Sequence, residues 1–210
     1  MVIAIDGPAG SGKSTIARLL ASELGFYFLN TGSFYRAYTL AQLQRGLDPL
    51  DADSVLETAK SITLSVSNGD IHIDGVDVEN KLHTPEVDKF CSPVSVDPRL
   101  REYVNEQVRA LAKGMDIVTE GRDTTTVIFP DADYKFYFDA SAEVRAERRT
   151  AEHPDGPDYD TVLEEIMKRD ERDKNKAVGA LKIADEAIYI DTTYLTIKQV
   201  CEKVLEAMNS

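Results

Sequence analysis

The sequence predicts an α/β fold, a five-stranded parallel sheet with helices on both faces. Three observations predict it. Short apolar runs alternate with stretches of helical periodicity along the chain. Most of these runs lie too far apart for hairpins, which favours parallel crossovers. The first run feeds directly into a glycine-rich turn and then a helix.

The elements follow in order. Val2-Ile3-Ala4-Ile5 reads as a strand buried on both faces. Ile16, Leu19, Leu20 and Leu24 recur at helical spacing, and Gly25 stands where a C-cap belongs. Phe26-Tyr27-Phe28-Leu29 is a second strand. Leu100, Val104, Val108 and Leu111 stripe a helix that Gly114 closes. Asp116 to Thr119, Lys135 to Phe138 and Ala187 to Ile190 supply the third, fourth and fifth strands. Ile197, Val200, Cys201, Val204, Leu205 and Met208 line one side of a last helix.

Two stretches break the rhythm. Ile62 to Val66 alternates, and Asn68-Gly69 and Asp74-Gly75 then separate Ile71-His72-Ile73 from its neighbours. Two such turn dipeptides predict a small antiparallel ribbon, an insertion on the parallel core. His153 to Asp158 is polar and turn-rich and leads into a highly charged helix.

At 210 residues the chain fits one domain with small insertions. Asp and Glu number 37 against 24 Lys and Arg, a net charge of −13. That balance argues against duplex nucleic acid or an anionic membrane as the main partner, since both require a basic footprint. A small anionic ligand stays open, provided basic residues gather at one site. Cys91 and Cys201 make no disulfide framework, and His72, His83 and His153 lack metal-ligand spacing. The N-terminus shows no signal-peptide pattern, and no apolar run reaches the roughly 18 residues of a membrane span. The expectation is a cytoplasmic protein.

Gly7-Pro8-Ala9-Gly10-Ser11-Gly12-Lys13-Ser14-Thr15 matches GxxxxGK[ST], placed between a strand and a helix as a phosphate loop requires. Glycines let backbone N–H groups face phosphate oxygens, and the helix N-terminus adds its positive end. Lys13 would reach the β- and γ-phosphates of ATP, and the Ser14 hydroxyl would ligate Mg²⁺. The glycine-shaped loop reads as exposed.

The acceptor side rests on arginines. Arg36 follows the second strand and Arg122 the third. Carboxyl ends of parallel strands are where ligands sit in open α/β sheets, and a guanidinium grips phosphate in bidentate fashion. Arg169, Arg172, Asp173 and Lys176 fall at i, i+3, i+4 and i+7 and share a helix face. With Arg148 and Arg149 they read as a basic flap able to close over transferring phosphates, or else as a solvated charged helix. The readings are therefore a P-loop kinase, its acceptor a nucleotide such as UMP, a deoxynucleotide or a metabolite, and a nucleotide-binding module without turnover. No NKxD-like guanine motif supports the second.

Across nearly its full length the chain resembles the bacterial cytidylate kinases, nucleoside monophosphate kinases of the P-loop class. The resemblance rests on IDGPAGSGKST, LNTGSFYR, CSPVSVDPRLR, EGRDTTTVIFPDA, FDASAEVRAERR and KRDERDKNKAV. It implies one P-loop kinase domain over residues 1–210, with an acceptor-binding insertion at about 54–98 and a lid at about 148–176. It implies γ-phosphoryl transfer from ATP to CMP or dCMP, with Mg²⁺, in a monomer. Arg36 and Arg122 would hold the acceptor phosphate, and Thr31, Arg101 and Asp123 would surround the cytosine. Arg169 and Asp173 would contact the pentose, with Ser92 supporting Asp173. Lys13, Arg122, Arg169 and Arg172 would stabilise the transferring phosphoryl group, and Arg148 and Arg149 would join the lid cations. Four positions depart from the family pattern: Lys176 for arginine, Thr125 for glycine, Glu120 for aspartate, and Ser14 where glycine is often seen.

Overall fold

A computed structural model describes residues 1–67 and 69–209. The chain divides into two compact units, Met1–Phe26 with Asp116–Ser210, and Tyr27–Met115. The central sheet has five strands: β1 (Val2–Asp6), β2 (Tyr27–Asn30), β6 (Ile117–Gly121), β7 (Tyr134–Asp139) and β8 (Ile188–Asp191). Their order is β2-β6-β1-β7-β8.

In the first unit β1 lies between β6 and β7. It pairs in parallel with β6, Val2 opposite Ile117 through Asp6 opposite Gly121, and with β7, Ile3 opposite Tyr134. β8 extends the sheet in parallel beyond β7. Ile3, Ala4 and Ile5 are wholly buried, which is why β1 is apolar without alternation. Helix α1 (Lys13–Leu24) starts after Gly12 and ends at Gly25, whose left-handed backbone lets its N–H reach the Ala21 carbonyl. Ile16, Ala17, Leu20 and Ala21 face the core, whereas Leu19, expected in the same stripe, is 45% exposed on the outer side.

Helices α6 (Ala142–Glu152) and α7 (Tyr159–Asn175) pack on each other through Ala146, Val162 and Ile166. Ser141 and Asp158 cap their N-termini. Helix α8 (Ile197–Met208) opens with a Thr196–Gln199 capping box and packs against α1. Val200 and Val204 carry its buried face; Ile197 is exposed.

The second unit holds α2 (Thr31–Gln44), on which α3 (Ala52–Ser61), α4 (Pro85–Val94) and α5 (Pro98–Ala112) pack. Between α3 and α4 lies the expected antiparallel ribbon of β3 (Leu64–Ser67), β4 (Asp70–Ile73) and β5 (Val76–Asp77). Asp74 and Gly75 both take positive φ at the β4–β5 turn, as a primed turn demands. Asn68 of the other turn lies outside the described residues. Leu100, Val104 and Val108 make the buried face of α5.

Candidate active site

The first unit gathers its polar machinery at the carboxyl ends of β1 and β6. The loop from Gly7 to Gly12 curls back on itself: Ser11 Oγ and Lys13 Nζ both donate to the Pro8 carbonyl, at 3.1 and 2.7 Å. A Cβ on Gly7 would stand 2.0 Å from the Phe138 carbonyl oxygen, so only glycine fits there. The loop is not the exposed turn its composition suggested. Gly7, Pro8, Ser11 and Lys13 are buried, Ala9 and Gly12 are half-buried, and Gly10 is exposed. Neighbouring elements close over this short, small-residue segment. Burial, with the Arg122 charge nearby, pulls the Lys13 ammonium down to about 7, against the opposing pull of Glu120 and Asp6. Ser14, the second residue of α1, donates to Glu120 Oε1 at 2.7 Å; Thr15 follows on its exposed side.

Asp6, fully buried at the end of β1, accepts from Thr124 N, Thr125 N and Thr125 Oγ1 at 2.9, 2.7 and 2.6 Å. Burial raises its carboxyl, and these bonds pull it back toward ionisation.

Arg122 Nε donates to Asp173 Oδ2, and Lys176 Nζ pairs with Asp173 Oδ1, both at 2.9 Å. Asp173 is 3% exposed. Burial works against its charge, but Arg122, Lys176 and Arg169 outweigh it and hold the carboxyl well below the usual range. The shared helix face is therefore not simply solvated: it buries Asp173 against an arginine from another element. Lys176 lies just past the end of α7 and still reaches Asp173. Arg169 is half-buried, while Arg172 stays on the exposed side with its Nε 3.3 Å from the Lys168 carbonyl.

Arg145 was not singled out by the sequence reading. Its guanidinium forks onto Asp170 at 3.0 and 2.6 Å and also donates to the carbonyls of Ala9 and Ala140. Arg148 donates to the Thr192 carbonyl at 2.6 Å, and Thr192 Oγ1 donates to the Ser11 carbonyl. The loop after β8 is thus tied to the phosphate loop. Arg149, beside it on α6, is half-buried.

In the second unit Arg36 follows β2 as expected, on helix α2, which begins directly after that strand. It donates to the Leu82 carbonyl at 2.8 Å and pairs with Asp88 at 2.6 Å. Thr31 is the buried first residue of α2. Arg101, 3% exposed, lies 5.5 Å from the Tyr35 ring centre and donates to the Ser95 carbonyl. Ser92 is half-buried on α4. Asp123 ends the β6 loop, buried, in the first unit.

Residues 3–210 match the family described as cytidylate kinase. The chain belongs to the cytidylate kinase family. It is 43% identical to the cytidylate kinase of Caldanaerobacter subterraneus subsp. tengcongensis over 209 residues, 98% of this chain and 93% of that one. It is 40% identical to that of Vibrio cholerae over 216 residues, 100% and 96% of the two chains. Among solved structures it is similar in fold to a shikimate kinase from Bacteroides thetaiotaomicron, with TM-score 0.50, 12% identity and coverage of 100% and 99%. An uncharacterized protein from Eubacterium ventriosum shares the fold at TM-score 0.55, 13% identity and coverage of 100% and 99%. Glu120 and Ser14 bond each other, Thr125 bonds Asp6, and Lys176 makes a single-point contact with Asp173.

Proposed function

We propose that Lys13, Arg122, Arg169 and Arg172 stabilise the transferring phosphoryl group in the family's reaction, and that the remaining predicted residues bind its two nucleotides. The protein is a phosphotransferase that moves the γ-phosphoryl group of ATP to CMP. The observation that carries the residue assignment is Lys13, buried and bonded to a loop carbonyl in the same motif that meets phosphate. When a triphosphate enters, its oxygens replace the Pro8 carbonyl as the lysine's partner, and the backbone N–H groups of Gly7 to Thr15 cradle the rest.

Mg²⁺ fits the donor side. The Ser14 hydroxyl and the Glu120 carboxylate are paired hard oxygen donors, and Mg²⁺ commonly takes one or two protein oxygens together with phosphates. Those two residues would hold it, and when bound it would neutralise charge on the β- and γ-phosphates.

For the acceptor, Arg36 and Arg122 hold the CMP phosphate, which takes the place of Asp88 on Arg36. Thr31, Arg101 and Asp123 read the cytosine. Asp123 can accept from its exocyclic amine and would repel the carbonyl oxygen of uracil. Arg169 and Asp173 contact the pentose, dCMP serving as well as CMP, and Ser92 and Lys176 complete the acceptor set. No covalent intermediate is required: transfer is direct and in line, driven by positioning and charge stabilisation. We place the protein in the cytoplasm as a monomer; gel filtration tests the monomer.

The deciding experiment is an ADP-release assay with CMP, dCMP, UMP and a dideoxy analogue as acceptors. CMP and dCMP should be good acceptors, UMP and the dideoxy compound poor. Equal rates with UMP and CMP would overturn the assignment of base reading.

A further inference from the structure

The turn that follows Arg122 and Asp123 is a single π-helical turn, Thr124–Ile128. Like any helical start it leaves its first amides without partners inside the turn. Asp123 stands at the N-cap position and makes no cap hydrogen bond. The amides of Thr124 and Thr125 instead donate to the two carboxylate oxygens of Asp6, at 2.9 and 2.7 Å, and the Thr125 hydroxyl adds a third bond at 2.6 Å. We propose that Asp6 is a positioning residue for the phosphoryl acceptor, capping this turn from the neighbouring strand and thereby aiming Arg122 and Asp123.

Three features support a positioning role over mere packing. Asp6 ends a strand paired on both sides, which makes it a fixed reference for what it holds. All three donors come from the two residues directly after Arg122-Asp123. Asp6, not the N-cap residue Asp123, supplies the side-chain bonds to the first amides of this turn. The chemistry also demands a carboxylate. Three donors converge on two acceptor oxygens, and an asparagine NH₂ would meet an N–H head-on. Thr125 contributes two of the three bonds, one from its amide and one from its hydroxyl.

The inference rests on the roles given above to Arg122 and Asp123, and Asp123→Ala is the reference for those roles. Steady-state kinetics on the full-length protein compare wild type, Asp6→Asn, Thr125→Val and Thr125→Ser. Losing charge-assisted bonds of this kind should raise KM for CMP about tenfold or more in Asp6→Asn and narrow its preference for CMP over UMP. KM for ATP should move within about twofold. Thr125→Val should shift CMP in the same direction by about threefold, and Thr125→Ser should restore near-normal values. A folded Asp6→Asn protein with unchanged CMP constants, or with equal losses for CMP and ATP, overturns the proposal. If Asp6→Asn does not fold, Thr125→Val decides, and an unchanged KM for CMP there overturns it. Unaltered CMP/UMP discrimination in Asp123→Ala would instead sink the base-reading role, leaving the aim of Arg122 to be judged by KM for CMP.

Discussion

Lys13 carries a charge in a place that does little to welcome it. Lys13 is 4% exposed, its ammonium is pulled down to about 7, and it donates to the neutral Pro8 carbonyl. A buried, strongly shifted lysine in a phosphate-loop motif is suited to a polyphosphate, whose charge would favour the ammonium form. Lys13→Ala should therefore fold and melt within a few degrees of wild type, because it deletes a poorly solvated charge. Turnover should fall about a hundredfold or more, the scale of losing one preorganised transition-state contact. Thermal melts and the ADP-release assay on one preparation check both halves, and near-normal turnover would remove Lys13 from the chemistry. Asp123→Ala tests the other substrate. It should erode the preference for CMP over UMP by more than it raises KM for ATP, and a competition assay reads the difference directly.

At the scale of elements, strands were the easiest to foresee. Uninterrupted runs such as Val2 to Ile5 have no use in water and need a sheet covered on both faces. The antiparallel ribbon was legible from alternation and from Asp74-Gly75. Partner choice was not. Arg36 with Asp88 and Arg145 with Asp170 lie 52 and 25 residues apart, and neither spacing has a local signature. A glycine-rich composition likewise said nothing of how neighbouring elements bury the phosphate loop. The Arg145–Asp170 pair matters for α7, because it anchors that helix to the Ala9 and Ala140 carbonyls. Removing one member of a buried pair leaves an uncompensated charge and costs about 3 kcal/mol or more. Asp170→Ala should lower the urea midpoint accordingly and speed amide exchange in α6 and α7 ahead of β1. Uniform exchange across both regions would show that the pair does not hold α7 in particular.

For the whole molecule, the pH dependence of stability follows from where the charges sit. The chain bears a net charge of −13, so protonating exposed carboxylates between neutral and mildly acid pH relieves self-repulsion. Asp173 behaves differently. Burial disfavours its charge, but Arg122, Lys176 and Arg169 together hold the folded-state carboxyl well below its ordinary value of 3.8. As pH falls below that ordinary value, the unfolded chain takes up the proton first. Stability from this cluster is complete above the unfolded value and is lost as pH drops through the folded one. The profile of urea midpoint against pH should thus fall steeply below about pH 4. Asp173→Asn should start lower at neutral pH, since Arg122 and Lys176 lose their counter-charge. It should then fall less steeply, so that the two profiles converge in acid. Raising salt should lift the ligand-free protein at neutral pH by screening its net charge. The buried cluster is far less screened, so the gap between wild type and variant should persist in high salt. Profiles that stay parallel down to acid pH would mean that Asp173 titrates like an ordinary surface carboxylate, and the buried Arg122–Asp173–Lys176 cluster would then contribute nothing to folding.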